Sequence, residues 1–266
     1  MHTFNRTALQ LGLTALFSLA ISGTASASAF DSGIPAGWTC SGNCGTLGAN
    51  GDVTTSPEGG NYAYVSTAGS QFSTPGLGLG SETNGSVLRS NMFSASAGDD
   101  LEFYFNFVTT DSAQYVEYAW ARLLNQDLSQ AALLFTARTT NSGSTVPGFG
   151  LPTIDGSIDP ASAPIIAGTT WAALGGSSGT CYLNGPACGH TGWIKSLYDI
   201  AADGNYYLEF GVVNWLDTAY DTGMAIDGIL VGGVPIDDNT VPEPATLALL
   251  GLGLAGLGAL RRRKAA

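Results

Sequence analysis

The stretch LEFYFNFV, residues 101–108, decides the fold of this 266-residue chain. Leu101, Phe103, Phe105 and Phe107 stand at every second position, so all four side chains share one face of an extended segment. A period of two residues with one apolar face is typical of a β-strand that borders a core. We therefore predict a strand at this stretch.

Further strand signals lie on both sides of it. Alternation recurs from Tyr206 to Val212, and other β-rich runs are predicted at residues 61–67, 86–93, 115–124, 131–138 and 224–231. Asn84-Gly85 is predicted as a turn. No convincing amphipathic helix separates these runs, and the chain has 37 glycines. These features predict an all-β fold, a single antiparallel β-sandwich of jelly-roll type.

Residues 30–240 are predicted to form one domain, because they contain no internal repeat and no Pro-rich linker. Two segments interrupt the strands. Residues 140–170 are rich in Gly, Pro, Ser and Thr and are predicted to form a long surface loop. Residues 171–193 hold a cysteine pair and His190. Loops at the rim of a sandwich are where binding usually occurs.

The predicted domain is strongly acidic. Between residues 30 and 240, twenty acidic residues accompany only four basic ones, Arg89, Arg122, Arg138 and Lys195. This balance argues against nucleic acid or an anionic membrane surface as a partner. It suits a soluble exported protein, and acidic oxygens can also collect divalent cations.

Residues 1–29 have the features of a secretory signal peptide. Arg6 provides a positive start, residues 9–21 are mostly apolar, and small residues form two candidate cleavage sites at 25–27 and 27–29. The apolar run is too short for a transmembrane helix. We therefore predict export across the cytoplasmic membrane.

Residues 241–266 form a tail of three parts. A Pro-rich hinge at 241–244 precedes an uncharged apolar run at 245–260 and a basic block at 261–264. A helix over the apolar run would be about 24 Å long, short of a hydrocarbon core of about 30 Å. The basic block would hold the end of this transmembrane helix on the cytoplasmic side. The length of the apolar run and the charges beside it do not distinguish a permanent membrane anchor from a signal that is cleaved.

The order of these parts resembles the PEP-CTERM sorting signal of exported proteins in exopolysaccharide-producing Gram-negative bacteria. The residues that carry the resemblance are Pro242, Glu243, Pro244, Arg261, Arg262 and Arg263. The resemblance implies that an exosortase-type enzyme processes the tail after it has engaged the inner membrane. It also implies that the protein then reaches the cell surface or the extracellular matrix.

Four cysteines form two pairs that are close in sequence. An even number of cysteines in an exported chain indicates disulfides, most simply Cys40–Cys44 and Cys181–Cys188. The alternative is a zinc site made of these thiols and His190. We predict that both pairs are disulfides that staple loops.

Evidence for catalysis in the sequence is weak. His190 is the only histidine after the signal peptide, and no Gly-x-Ser-x-Gly elbow is present. A glycosidase needs two facing carboxylates, but among twenty acids some pair is inevitable. We therefore predict that the protein is not an enzyme, with a polysaccharide hydrolase as the minority interpretation.

The most informative internal motif is VNWLDTAYDTGMAIDGI, residues 213–229, an acidic segment between two apolar strands. It resembles the closing hairpin of exported jelly-roll domains that carry various C-terminal anchors. Its oxygen atoms could hold calcium, and the candidate ligands are Asn214, Asp217, Asp221 and Asp227. The alternative is that these side chains form turns by bonding their own backbone.

Aromatic residues lie in and beside the acidic segment at 213–229 and the cysteine-containing segment at 171–193. They suggest a sugar-binding surface, where exposed rings stack on pyranose faces. The candidate glycan-binding residues are Trp171, Tyr182, Trp193, Trp215 and Tyr220. The alternative is that these rings are buried in the core. The sequence thus predicts a non-catalytic envelope or biofilm-matrix protein that binds exopolysaccharide. A purely structural surface protein without a ligand is the alternative.

Overall fold

The computed structural model describes residues 29–51, 53–70, 76–167, 174, 181–182 and 186–236. No α-helix occurs in these ranges. The strands are β1 Thr39–Ser41, β2 Asn43–Leu47, β3 Tyr62–Ser66, β4 Glu82–Arg89, β5 Phe93–Ala95, β6 Asp100–Thr109, β7 Tyr118–Asn125, β8 Gln130–Arg138, β9 Ser157–Asp159, β10 Ile166–Ala167, β11 Gly189–His190, β12 Ile194–Asp199, β13 Gly204–Trp215, β14 Thr222–Val231 and β15 Val234–Pro235.

These strands form two antiparallel sheets. The first sheet has the order β1-β4-β13-β7-β8, with β5 also paired to β13. The second has the order β10-β11-β6-β14-β3-β2; β12 pairs with β6 and β9, and β15 pairs with β14. The two sheets confirm the predicted all-β class, while the jelly-roll arrangement stays a prediction.

The main hydrophobic core lies between the two sheets. Its second-sheet side is the aromatic face of β6, where Leu101, Phe103, Phe105 and Phe107 are all fully buried. Aromatic rings meet from opposite sheets: the centroid of Phe103 lies 5.2 Å from that of Phe210 on β13. The period-two pattern of residues 101–108 is therefore the feature that places the core, as the sequence predicts.

The predicted turn at Asn84-Gly85 is wrong, because both residues lie inside β4. Gly85 is needed there for a different reason. A Cβ atom at this position would stand 2.4 Å from the carbonyl oxygen of Val212 on β13. The glycine permits a close approach of two strands.

The predicted surface loop at residues 140–170 is wrong in part. Val146, Ile158 and Ala163 are buried against the main core, and β9 within this segment pairs with β12. Scattered apolar residues in a Gly- and Pro-rich segment show no period, so the pattern does not reveal that they pack inward.

Both disulfides are present as predicted. Cys40 and Cys44 are bonded, with Cα atoms 6.0 Å apart, and so are Cys181 and Cys188, with Cα atoms 5.7 Å apart. The alternative zinc site is excluded because all four sulfur atoms are used in these bonds.

The predicted signal peptide, except Ala29, and the whole sorting tail lie outside the described residues. Within the described ranges, no helix has the length and apolar character needed to cross a membrane.

Candidate functional site

The inward-facing positions become polar where β6, β7, β13 and β14 reach one end of the sandwich. On β6, the inward-facing residue after Phe107 is Thr109. At the start of β7, the inward-facing residue before Ala119 is Glu117. We call the buried residues at this level the polar end layer; its members are Thr109, Glu117, Thr139, Asn214 and Thr222, and each is at most 1% exposed.

Glu117 is the centre of this layer and is fully buried. Its Oε2 atom accepts hydrogen bonds from the hydroxyls of Thr109, at 3.2 Å, and of Thr222. Its Oε1 atom has no hydrogen-bond partner among the described residues. Burial, and secondly the charge of Asp111, hold the pKa of Glu117 well above its usual range.

Two further carboxylates approach Glu117 from different loops. Asp111 follows the end of β6, and Asp217 lies in the β13–β14 hairpin. One carboxylate oxygen from each of Asp111, Glu117 and Asp217 lies within 4.8 Å of the others. We call these three residues the acidic trio. Asp111 is itself fully buried, and burial raises its pKa to about 6, the charge of Asp217 adding to the rise.

No basic side chain of the domain forms an ion pair with the acidic trio. Arg89 and Arg122 both pair with Glu209, and Lys195 pairs with Glu102. Arg138 donates to the carbonyl of Val116 and lies over the ring of Trp215. Since these are all the lysines and arginines between residues 30 and 240, no lysine or arginine of the described residues balances the three carboxylates.

Main-chain hydrogen bonds fix the loops around the trio. The amide of Thr110 donates to the carbonyl of Asp221 in the hairpin, at 3.1 Å, and its own carbonyl accepts from the amide of Tyr182, at 2.9 Å. Tyr182 adjoins Cys181, so the Cys181–Cys188 loop is tied to the β6–β7 loop next to Asp111. Three loops are therefore connected at one residue.

Three half-buried tyrosines lie on the same loops. The ring centroid of Tyr182 is 4.9 Å from that of Tyr220 and 6.2 Å from that of Tyr115. We call Tyr115, Tyr182 and Tyr220 the tyrosine rim. Tyr220 has a left-handed backbone with φ of 60°, an uncommon conformation for a bulky residue that is often found at binding sites.

The predicted set of calcium ligands is not brought together as a whole. Asp227 lies on β14 opposite Tyr104, five residues along β6 from the pair formed by Thr222 and Thr109, a distance of about 16 Å at the rise of a strand. Its carboxylate instead accepts a hydrogen bond from Ser56. Asp217 is the member of the set that joins the acidic trio.

The other two members of that set remain near the hairpin. Asn214 is buried in the polar end layer, and neither its Oδ1 nor its Nδ2 has a hydrogen-bond partner among the described residues. Asp221 is half-buried and accepts hydrogen bonds from Thr110 through its carbonyl. Neither belongs to the group of three carboxylates.

The predicted glycan-binding aromatics also separate. Tyr182 and Tyr220 meet in the tyrosine rim, and Trp171 lies outside the described residues. Trp193 packs edge-on against Tyr62, and its indole N–H donates to the carbonyl of Thr54, at 3.0 Å. Trp215 packs against Tyr118 with Arg138 over its ring, 4.7 Å from the centroid. Both tryptophans have packing partners away from the rim.

Two open clefts lie toward the opposite end of the sandwich. One, of about 620 Å³, is lined by the β7–β8 turn at Asn125 and by the start of β13 at Asn205. The other, of about 460 Å³, is lined by Arg89 and Tyr207. None of the sequence-predicted aromatics lines either cleft.

Sequence reasoning missed Asp111 and Glu117 as site residues, although a signal for Glu117 was present. Glu117 occupies the same alternating positions of the run at 115–124 as Ala119, Ala121 and Leu123. These three residues are buried in the main core. A carboxylate on the apolar face of a strand is uncommon unless it is paired or binds a cation.

Comparisons with known proteins add one positive assignment. Residues 240–264 match the model of the PEP-CTERM protein-sorting motif, which confirms the resemblance of the tail. No curated protein matches the chain.

Several solved structures are similar at low identity. The K1 cleaved adhesin domain of Lys-gingipain from Porphyromonas gingivalis is 12% identical with a TM-score of 0.35, covering 76% of this chain and 94% of that chain. The K3 domain of the same protein is 13% identical with a TM-score of 0.34, covering 77% and 95%. The enzymatically active domain of tailspike protein 4 of bacteriophage CBA120 is 13% identical with a TM-score of 0.30, covering 74% and 19%. Similarity at these TM-scores is too low to assign a function.

Proposed function

We propose that this protein, which carries the PEP-CTERM sorting motif, is a non-catalytic component of the cell envelope or extracellular matrix that binds exopolysaccharide through the tyrosine rim. The observation that carries the proposal is the match of residues 240–264 to the motif. The motif implies an exported protein that is sorted by its tail and processed by an exosortase-type enzyme. The domain before the tail is therefore the part that acts outside the cell.

The chemistry of the tyrosine rim supports a carbohydrate ligand. Tyr115, Tyr182 and Tyr220 combine apolar ring surface with hydroxyls that can hydrogen-bond sugar hydroxyls. They lie on three loops at one end of a rigid two-sheet scaffold, the usual position of a binding surface. The strained backbone of Tyr220 holds one ring of this group in place.

The burial of the acids argues against hydrolysis at the same end. A glycosidase needs one carboxylic acid and one carboxylate on either side of a scissile bond that both can reach. Glu117 and Asp111 lie close together but are fully buried, so a polysaccharide chain has no access between them. This supports a structural role for the trio rather than an acid–base pair.

The test measures binding of the mature protein to exopolysaccharide isolated from the producing bacterium, by co-sedimentation and by titration calorimetry. Tyr182→Ala and Tyr220→Asn should each weaken binding, together by about 1–3 kcal/mol for two lost ring contacts. Asparagine suits the left-handed backbone at position 220, so the second variant removes the ring without adding strain.

The control is Tyr207→Ala, which removes a tyrosine that lines the 460 Å³ cleft away from the rim. It should leave binding unchanged. If only the control variant loses binding, the glycan site lies at that cleft. If the unaltered protein binds no exopolysaccharide, the purely structural interpretation replaces this one.

A further inference from the structure

We propose that Asp111, Glu117 and Asp217 bind a calcium ion that joins the β6–β7 loop to the β13–β14 hairpin. The site differs from the ligand set that the hairpin sequence predicts, with which it shares only Asp217. The proposal rests on the acidic trio and is independent of glycan binding.

The spacing of the carboxylates fits a single ion. Calcium binds oxygen at about 2.3–2.6 Å, so two oxygens on one ion are at most about 5 Å apart. The nearest oxygens of the trio all lie within 4.8 Å of one another. Even at that limit the point equidistant from the three oxygens is only about 2.8 Å from each, so small side-chain adjustments, without rearrangement of the strands, let one ion contact all three carboxylates.

Unpartnered buried oxygens point to a missing ligand. Oδ2 of Asp111 and Oε1 of Glu117 are both buried, and no other described residue donates a hydrogen bond to either. The two carboxyl groups can bond only to each other, and only if one of them carries a proton. Buried acceptors without donors cost about 1–3 kcal/mol each, and more when they are charged. A cation satisfies such acceptors at once, since it needs only oxygens.

The charge of the site leads to the same conclusion. Two of the three carboxylates are fully buried, and all four basic residues of the domain are engaged elsewhere. Repulsion among three carboxylates must be offset by a bound cation or by protons. A proton shared between Asp111 and Glu117 is the competing solution, and the experiment below distinguishes the two.

Calcium fits better than magnesium. Magnesium prefers a regular octahedron at about 2.0–2.1 Å and keeps several waters, whereas calcium accepts irregular sets of protein oxygens. A fully buried carboxylate such as Glu117 has little room for retained waters. Extracellular calcium modules bind with Kd values of about 10⁻⁴–10⁻³ M, a range that suits an exported protein.

The ion would also position the tyrosine rim. Tyr115 lies two residues before Glu117, and Tyr220 lies three residues after Asp217. The two loops that carry these rings are the two that the ion would join. Calcium would therefore order the loops that present the rim.

The test measures calcium binding to the mature protein after treatment with chelator, by titration calorimetry and by thermal melting. Glu117→Gln keeps the shape of the side chain and an acceptor for Thr222 but removes the charge. We expect it to melt in chelator at or above the temperature of the unaltered protein, since repulsion is reduced. Its affinity for calcium should fall by at least the roughly 10–100-fold that loss of an outer-shell partner costs, because Glu117 would contact the ion directly, and Asp217→Asn should act in the same direction.

The matched control is Asp227→Asn, which alters a buried acid of the sequence-predicted set that lies outside the trio. It should keep the calcium affinity of the unaltered protein. The proposal fails if the unaltered protein shows neither binding heat nor a rise in melting temperature with calcium, which would favour the shared proton. It also fails if Glu117→Gln binds calcium normally, or if magnesium raises the melting temperature as much as calcium does.

Discussion

Thr222 on β14 of the second sheet donates a hydrogen bond to Glu117, the residue just before β7 of the first sheet, across the polar end of the core. The two residues are 105 positions apart in the chain. Thr222 Oγ1 also lies 3.0 Å from Thr109 Oγ1. A chain of hydroxyls therefore connects the sheets at the level where the hydrophobic core ends, and it holds the carboxylate of Glu117 in place.

Thr222→Val should lower the free energy of unfolding by about 1–3 kcal/mol, because it removes a donor to a fully buried carboxylate oxygen. Urea denaturation measures the change. Thr218→Val is the matched control, since Thr218 is exposed in the neighbouring hairpin, and it should change the stability by less than about 0.5 kcal/mol. Equal effects of the two variants would mean that the hydroxyl of Thr222 contributes nothing specific.

The stability of the chelated protein should depend on pH through the acidic trio. The pKa of Asp111 is raised to about 6, and burial holds that of Glu117 well above its usual range. The folded state therefore holds more protons than the unfolded chain above about pH 4, the ordinary carboxyl range. Stability falls wherever the folded state binds the extra protons, so it should decline as pH rises from about 4 through 6.

Urea midpoints across this pH range, measured in chelator, test the expectation. Asp111→Asn should reduce the decline. Saturating calcium should abolish it, because the ion stabilises the ionised carboxylates. A stability that instead rises over this interval in both the unaltered protein and the variant would show that the trio does not govern the pH dependence.

Glu209→Ala should destabilise the first sheet by about 2–4 kcal/mol. Glu209 is 1% exposed, and its two oxygens accept from Arg89, at 2.7 Å, and from Arg122, at 2.6 Å. Removing it leaves two half-buried guanidinium groups without their partner. Glu102→Ala is the control, because the Lys195–Glu102 pair is about a quarter exposed on both sides; it should cost less than about 1 kcal/mol. Thermal or chemical unfolding of both variants measures the difference.

The tail should be removed or exchanged near Pro242-Glu243-Pro244 after export, because residues 240–264 match the sorting motif. Intact-mass measurement of the mature protein from its native host decides this. Retention of residues 261–266 at steady state would instead indicate a permanent anchor. Deleting the basic block should reduce retention in the envelope in either case.

Several features of this protein are determined by the sequence alone. The alternation at Phe103, Phe105 and Phe107 predicts both the strand and its buried face, because side-chain direction in a strand depends only on the parity of the residue. The pairing of the cysteines, which are four and seven positions apart, is also predictable from the sequence, since short loops close easily. The PEP-CTERM motif is contiguous and needs no fold to be recognised.

The composition of the candidate site was decided only by the tertiary structure. Asp111 and Glu117 lie in the β6–β7 loop and Asp217 lies in the β13–β14 hairpin, and Glu117 and Asp217 are 100 residues apart in the chain. They meet because β7 pairs with β13 and β6 pairs with β14. The hairpin motif alone could not separate Asp217 from Asp227, since both are acids in one segment. The alternation of residues along a strand predicts which face of the sheet a side chain lies on. Only the pairing of distant strands determines which side chains meet at one end of that face.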